Sequence, residues 1–378
     1  MITEQAFLKL FSRMDRQLTQ DFSFFLKNAR VRSGKNLRTI VEYAKEKKIP
    51  KDVLRLLYEN IQKKNDYLSR FYYRSLYYDK ADISIREPPM KNKNFNNNAL
   101  VKYKNAIRNM FFYEILRDTK SGFNNPSFFT ALDELFNHLI IDIRLLSPWC
   151  HSYIREGRIS SLYGSMFFRA SIMNPYLVYS LNKTVFSNAK RVFTPTLGWS
   201  SYFYGFAESG IEEYVATDVI PSVCSKTARF AEKYYPRIKT DIYCVPSEQL
   251  AKTGAFMRKY NQYFDVIFFS PPYFKLEQYP GNKQSTVLYE TLEEWLEKYW
   301  EETIKMCAKV LRRDGILCYI LSDYGSVNTT HYTLLKDMND ITKRFFSKIT
   351  MQPMYNKNVD VTAKGHRETD EQIMIFKF

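Results

Sequence analysis

The run Phe264-Asp265-Val266-Ile267-Phe268-Phe269-Ser270-Pro271-Pro272-Tyr273 is a continuous apolar stretch with one acid near its start and two prolines at its end. A short apolar run bounded by turn residues predicts a buried strand. Neither proline has a backbone N–H, so strand pairing must stop there. Ser270 and Tyr273 then project from the carboxyl end of a strand. That is the edge at which open α/β sheets bind ligands.

Outward from this strand, short apolar runs alternate with helical patterns from about residue 186 onward. Strands are expected at 191–193, 213–217, 241–245, 266–269 and 315–321, with a last one at 372–378. Helices fit between them at 201–210, 222–234, 247–259 and 292–311. The alternation predicts βαβ units and a mostly parallel sheet, an α/β fold of the Rossmann-like kind. Such a fold needs a tight turn after its first strand. Phe193-Thr194-Pro195-Thr196-Leu197-Gly198-Trp199-Ser200-Ser201-Tyr202 offers one. Asp218 closes the second strand, 24 residues after Thr194. A carboxylate there can accept ribose hydroxyls, as in nucleotide-binding folds. The competing reading is a helix N-cap ahead of Ile220-Pro221.

Ser270-Pro271-Pro272-Tyr273 resembles motif IV of the amino-methyltransferases that act on exocyclic amines of nucleic-acid bases, (Asp/Asn/Ser)-Pro-Pro-(Tyr/Phe/Trp). The stretch from Thr194 is similar to their motif I, Asp-Pro-Phe-x-Gly-x-Gly-Thr. Pro195 and Gly198 match, Thr194 stands where the acid belongs, and Ser200 replaces the second glycine. Gly198-Trp199 also resembles the Gly-Trp-Gly-Gly version found in one branch with the Ser-Pro-Pro-Tyr motif. Residues 166–175, with Phe168 and Arg169, resemble the segment of that branch that closes over the methionine part of the cofactor. Pro246-Ser247-Glu248 lies where the adenine-contacting motif would. Phe274-Lys275-Leu276-Glu277-Gln278-Tyr279, Gln284-Ser285 and Glu294-Trp295-Leu296 are similar to the same branch. The resemblance covers about 162–325 and the final strand, and leaves out 1–150.

The resemblance implies a class I methyltransferase domain that uses S-adenosyl-L-methionine. It places Phe168, Arg169, Thr194, Pro195, Gly198, Asp218, Val219 and Ser247 at the cofactor, and makes Ser270, Pro271, Pro272 and Tyr273 the catalytic segment. The chemistry is coherent. An exocyclic amine is a poor nucleophile because its lone pair is delocalised into the ring. Ser270 and the Pro271 carbonyl can accept the amine hydrogens and localise that pair. Tyr273 offers a stacking face, worth ~1–3 kcal/mol per base, to a base taken out of the duplex. Ser at the first motif position leans toward N4 of cytosine, Asp or Asn toward N6 of adenine. The departures at Thr194 and Ser200 keep a second reading open: a methyltransferase fold without catalysis, serving as a DNA-binding or partner subunit. Methylation of RNA is a third.

Charge divides the chain. Residues 1–120 carry 26 Lys and Arg against 13 Asp and Glu, whereas 161–378 carry 27 against 23, within a net charge of +16. A basic lobe beside a nearly neutral one suggests a part that holds a polyanion and a part that does chemistry. A basic all-α N-terminal domain over 1–150 and a catalytic domain over 151–378 are therefore expected, with DNA or RNA as partner of the first. Helices are expected at 36–48, 51–78, 99–116 and 125–146, with an exposed polar loop at 87–98. Within 67–78, Tyr67, Arg70, Tyr72, Tyr73, Arg74, Tyr77 and Tyr78 interleave rings and guanidiniums. The expected arrangement is an aromatic core face with a solvated basic face opposite; a base-stacking surface is the alternative.

Several classes are not expected. No run of 18 apolar residues predicts a membrane span. The first residues lack a signal-peptide layout, so a cytoplasmic location is expected. Five scattered cysteines without a Cys-x-x-Cys pair, and four histidines without ligand spacing, predict no metal site. The polar stretch 356–369 is a candidate for target specificity.

Overall fold

The computed structural model describes residues 1–13, 21–91, 94–121, 126–167, 170–325, 331–355 and 368–378. The chain forms two compact units, Met1–Tyr77 with Arg108–Ala170, and Tyr78–Ile107 with Ser171–Phe378. This differs from a single boundary at 150, because the chain leaves the first unit after Tyr77 and returns to it at Arg108.

The first unit is mostly helical, with helices at Phe22–Asn28, Ile40–Glu46, Lys51–Gln62, Lys64–Ser75 and Phe128–His138. Its core is built from rings such as Phe7 on Phe11 (5.4 Å) and Phe71 on Phe128 (5.0 Å). It is not all-α. Strand Arg30–Ser33 pairs antiparallel with Asn36–Thr39 and parallel with Ile140–Asp142. The hairpin turn is two residues, with Gly34 at φ +61, as glycine at the first turn position favours. The helix expected from 36 begins at Ile40, capped by Thr39 in a capping box with Glu42. The helix expected over 51–78 breaks at Lys63, and its second half packs on helix Glu4–Lys9.

The second unit holds a seven-stranded sheet: β1 (Arg191–Thr194), β2 (Glu213–Thr217), β3 (Lys239–Tyr243), β4 (Phe264–Phe269), β5 (Leu311–Leu321), β6 (Lys348–Tyr355) and β7 (Glu368–Lys377). The order across the sheet is β6-β7-β5-β4-β1-β2-β3. β1 to β5 are parallel, and β7 runs antiparallel to both β5 and β6. This parallel sheet with a reversed last strand is a Rossmann-like α/β arrangement, with β4 beside β1. Helices α1 (Pro175–Thr184), α2 (Ser201–Ser209), α3 (Pro221–Tyr234), α4 (Glu302–Val310) and α5 (Leu334–Thr342) accompany the sheet. The central strands are buried along almost their whole length, which is why they read as continuous apolar runs. Asp265, the acid in the β4 run, serves the opposite sheet edge. It accepts the backbone N–H groups of Lys190 (2.9 Å) and Arg191 (2.8 Å) and pairs with Arg312 (2.7 Å).

The polar segment expected as an exposed loop at 87–98 is anchored in this unit, with Met90, Phe95 and Asn96 buried. Met90 N–H donates to Ser180 Oγ (2.9 Å), Tyr176 hydroxyl to Pro88 carbonyl (2.6 Å), Asn174 N–H to Asn97 Oδ1 (2.6 Å) and Tyr355 N–H to Phe95 carbonyl (2.8 Å). Asn97 satisfies the backbone of Asn174 and Ile172, a use of a polar residue that composition does not reveal. No helix among the described residues is long and apolar enough to cross a membrane.

Candidate functional site

The turn after β1 is strained. Gly198 (φ +50), Trp199 (φ +58) and Ser200 (φ +65) are three successive residues in the left-handed region. That conformation costs ~1–2 kcal/mol for each residue with a Cβ, and such strain concentrates at functional sites. The surroundings hold it in place. Asp218 Oδ2 accepts the Leu197 N–H (3.0 Å), Ser201 Oγ donates to the Gly198 carbonyl (2.5 Å), and the Ser200 and Thr227 hydroxyls bond to each other. A Cβ on Gly198 would lie 2.3 Å from the Tyr202 ring, so no other residue fits there without displacing that tyrosine.

Thr194, in the place of the missing acid, is buried, and its hydroxyl is bonded to Tyr214 (2.7 Å). The carboxylate that orders the turn comes from the neighbouring strand instead. Besides Leu197, Asp218 takes the N–H groups of Val219 (2.8 Å) and Ile220 (3.0 Å) on Oδ1. Burial nevertheless pushes its pKa above the usual carboxylate range.

Ser270 follows β4. Its N–H donates to the Tyr202 hydroxyl (3.0 Å), so the first residue of the Ser-Pro-Pro-Tyr segment is one hydrogen bond from the helix that opens on the β1 turn. Ser270 Oγ donates to the Ile320 carbonyl of β5 (3.2 Å). With its proton committed there, the oxygen presents lone pairs for accepting. Pro271 is buried, and Pro272 is half-buried. The Tyr273 ring stacks on Tyr324 (6.4 Å, 20°), which stacks on Tyr332 (5.0 Å, 28°).

Four buried hydroxyls of this unit have no hydrogen-bond partner among the described residues: Thr196, Tyr273, Tyr299 and Tyr324. Thr196 is in the β1 turn, Tyr273 in the Pro-Pro segment and Tyr324 just past the end of β5. Tyr299 is in the helical segment Leu296–Glu301, its ring leaning on Trp295 (5.0 Å). The Tyr273 hydroxyl lies near Ser270 and Ser322 without a well-formed bond to either. An unmet buried hydroxyl costs ~1–3 kcal/mol. A group of them at the carboxyl edge of the sheet marks a surface shaped for a polar ligand.

Glu277 and Tyr279 carry no role in the sequence reading, yet they belong to this edge. Glu277 Oε1 accepts the Ser171 N–H (3.1 Å) and Oε2 accepts the Tyr279 hydroxyl. The Tyr279 ring leans on Trp199 of the strained turn (5.9 Å). Burial pushes the Glu277 pKa up to about 7, with Glu371 adding to the rise against the pull of its two hydrogen bonds. The sequence signal was the likeness of Phe274–Tyr279 to the Ser-Pro-Pro-Tyr branch, which marked the segment without giving either residue a role.

The structure brings Pro195, Gly198, Asp218, Val219 and Ser270–Tyr273 to one sheet edge. The Ser247 side chain does not join them: it is buried, with its hydroxyl bonded to Thr303 of α4 (2.8 Å). Phe168 and Arg169, and most of 356–369, lie outside the described residues. No cluster of three or more metal-ligating side chains occurs among the described residues.

The sequence matches no family model and no curated protein. Solved structures do match. SMU.776 in complex with S-adenosylhomocysteine is 13% identical with TM-score 0.39, over 56% of this chain and 52% of that one, so the match spans about half of SMU.776. The SAM-dependent methyltransferase from Agrobacterium tumefaciens is 13% identical with TM-score 0.38, over 56% and 64%. The tRNA (m1A58) methyltransferase TrmI from Aquifex aeolicus is 8% identical with TM-score 0.32, over 54% and 68%.

Proposed function

We propose that this chain is an S-adenosyl-L-methionine-dependent methyltransferase acting on an exocyclic amine of a nucleic-acid base in DNA. The observation that carries the reading is the Tyr202 bridge, which ties the Ser270 backbone to the helix following the strained β1 turn. In this fold that spacing suits a cofactor on one side and an amine acceptor on the other.

The residues present fit the cofactor. The Tyr299 hydroxyl is buried without a partner among the described residues, and the Thr196 hydroxyl lies near Tyr202 without a well-formed bond to it. Asp218 uses three of about four carboxylate acceptor directions on backbone N–H groups, so Oδ2 keeps one for a ribose hydroxyl. The cofactor, when bound, supplies an electrophilic methyl group. Ser270 Oγ, with its own proton held by the Ile320 carbonyl, accepts an amine hydrogen and directs the nitrogen lone pair. The Pro271 carbonyl is the second acceptor. Tyr273, backed on one face by Tyr324, packs against the base, and orientation supplies much of the rate. Serine at the first motif position favours cytosine N4 as the target.

Calorimetric titration of S-adenosyl-L-methionine tests the reading. Saturable micromolar binding is expected, lost in Asp218→Ala and retained in Ser270→Ala, with methylated DNA formed by the wild type and not by Ser270→Ala. No binding with or without DNA would sink the enzyme and favour a DNA-binding or partner subunit. Binding with product only on RNA would move the substrate and keep the chemistry.

A further inference from the structure

Helix Lys64–Ser75 buries Tyr67, Phe71 and Tyr72 and exposes Arg70 and Arg74, as expected, but Tyr73 lies on the side of the arginines. Arg70, Tyr73 and Arg74 are exposed together on one side of the helix, at i, i+3, i+4 spacing, and Tyr77, two residues past the helix end, is exposed beside Tyr73. Tyr73 is 53% exposed and Tyr77 is 50% exposed.

These rings are held in place. Tyr73 meets the buried Tyr72 edge-on (5.6 Å, 88°), and its hydroxyl donates to Glu4 Oε2 (2.7 Å), whose other oxygen accepts from Ser69. Tyr77 follows the helix end, with its N–H donating to the Tyr72 carbonyl (2.8 Å). The two rings sit 5.5 Å apart, tilted by 43°. Residues 1–77 also carry 17 Lys and Arg against 8 Asp and Glu, an excess of the sign that attracts a polyanion.

We infer that Arg70, Tyr73, Arg74 and Tyr77 form a stacking platform for an unpaired nucleic-acid strand, with bases on the tyrosine rings and phosphates on the guanidiniums. Fixed rings lose little freedom on binding, every base has a face to stack, and arginines track the backbone. A duplex fits this platform poorly because its bases already stack on one another. The inference does not rest on methyl transfer and is tested by binding alone.

The experiment uses the full chain and labelled oligo-dT and oligo-rU of about 15 nucleotides, with heparin as a polyanion that has no bases. For Tyr73→Ala/Tyr77→Ala, affinity is expected to fall at least about 10-fold for dT, rU or both, with heparin binding unchanged. Tyr73→Phe/Tyr77→Phe, which keeps the rings, is expected to bind like the wild type. Arg70→Ala/Arg74→Ala is expected to weaken oligonucleotide and heparin alike and to flatten the salt dependence by a slope of about 1.4. A preference between dT and rU identifies the strand as DNA or RNA. The platform is overturned if the double alanine variant binds both strands like the wild type, or if it loses heparin and oligonucleotide equally.

Discussion

Glu277 shows how one buried side chain links stability to pH. Its pKa stands near 7 in the folded chain against 4.5 for an ordinary glutamate. Below the lower value both states are protonated and the residue is neutral to stability. As pH rises through that window the unfolded chain ionises first, so stability falls. Above about 7 the full cost remains, on the order of 3 kcal/mol. Glu371, itself raised by burial and lowered by Lys104, faces the same region. Glutamine reproduces the protonated form, accepting from Ser171 and donating to Tyr279. Glu277→Gln is therefore expected to be more stable than the wild type at pH 8, by up to about 3 kcal/mol, with the gain falling to under about 1 kcal/mol at pH 5. Denaturant melts at the two pH values decide it, and an identical difference at both would refute the assignment. Asp218 makes a similar point about legibility. Its place at the end of a strand was readable, but its bond to the Leu197 N–H was not, because that pairing joins two different strand ends.

The turn between β1 and α2 is the element on which the candidate site depends. Gly198→Ala places a methyl against the Tyr202 ring and a Cβ at positive φ. A loss of at least about 2 kcal/mol is expected, together with loss of cofactor binding. Tyr202→Phe keeps the ring and leaves the Ser270 N–H unpaired. It is expected to cost about 1–3 kcal/mol and to lower turnover more than cofactor affinity. Thermal melts with binding isotherms separate the two, and a Gly198→Ala protein with wild-type stability and affinity would mean the turn is slack. Among the elements, β1, β2, β4 and β5 were legible because strands covered on both faces write themselves as apolar runs. β6 was not: it is an edge strand, mostly exposed and interrupted at Pro353, so no alternation marks it. The hairpin at 30–39 was missed for the same reason, since Asn36–Thr39 is an exposed edge. The helix expected over 247–259 divides into Ser247–Leu250 and Gly254–Lys259.

At the scale of the whole molecule, the decisive feature is that 78–107 belongs with 171–378. Its backbone and side chains satisfy Ser180, Tyr176, Asn174, Glu208 and Tyr355. A fragment of 171–378 alone is thus expected to expose apolar surface and lose its cooperative thermal transition, and adding 78–107 as a peptide should restore it. A fragment that melts like the full chain would show the segment to be dispensable. Simple deletion of the basic N-terminus would remove this segment too, which makes point variants the cleaner probe of nucleic-acid contact.

By itself, the sequence determined that strands and helices alternate after residue 186, that a buried strand ends at Ser270, and that positive charge gathers in the first third. These are local properties: an apolar run, a proline pair and a count of charges survive in one dimension. Only the tertiary structure decided that Asp218 accepts the Leu197 N–H of the turn after β1, that Tyr202 bridges to Ser270, that Glu277 is buried, and that Tyr73 and Tyr77 face water beside Arg70 and Arg74. Those facts depend on strand order and side-chain direction, which bring together residues far apart in the chain.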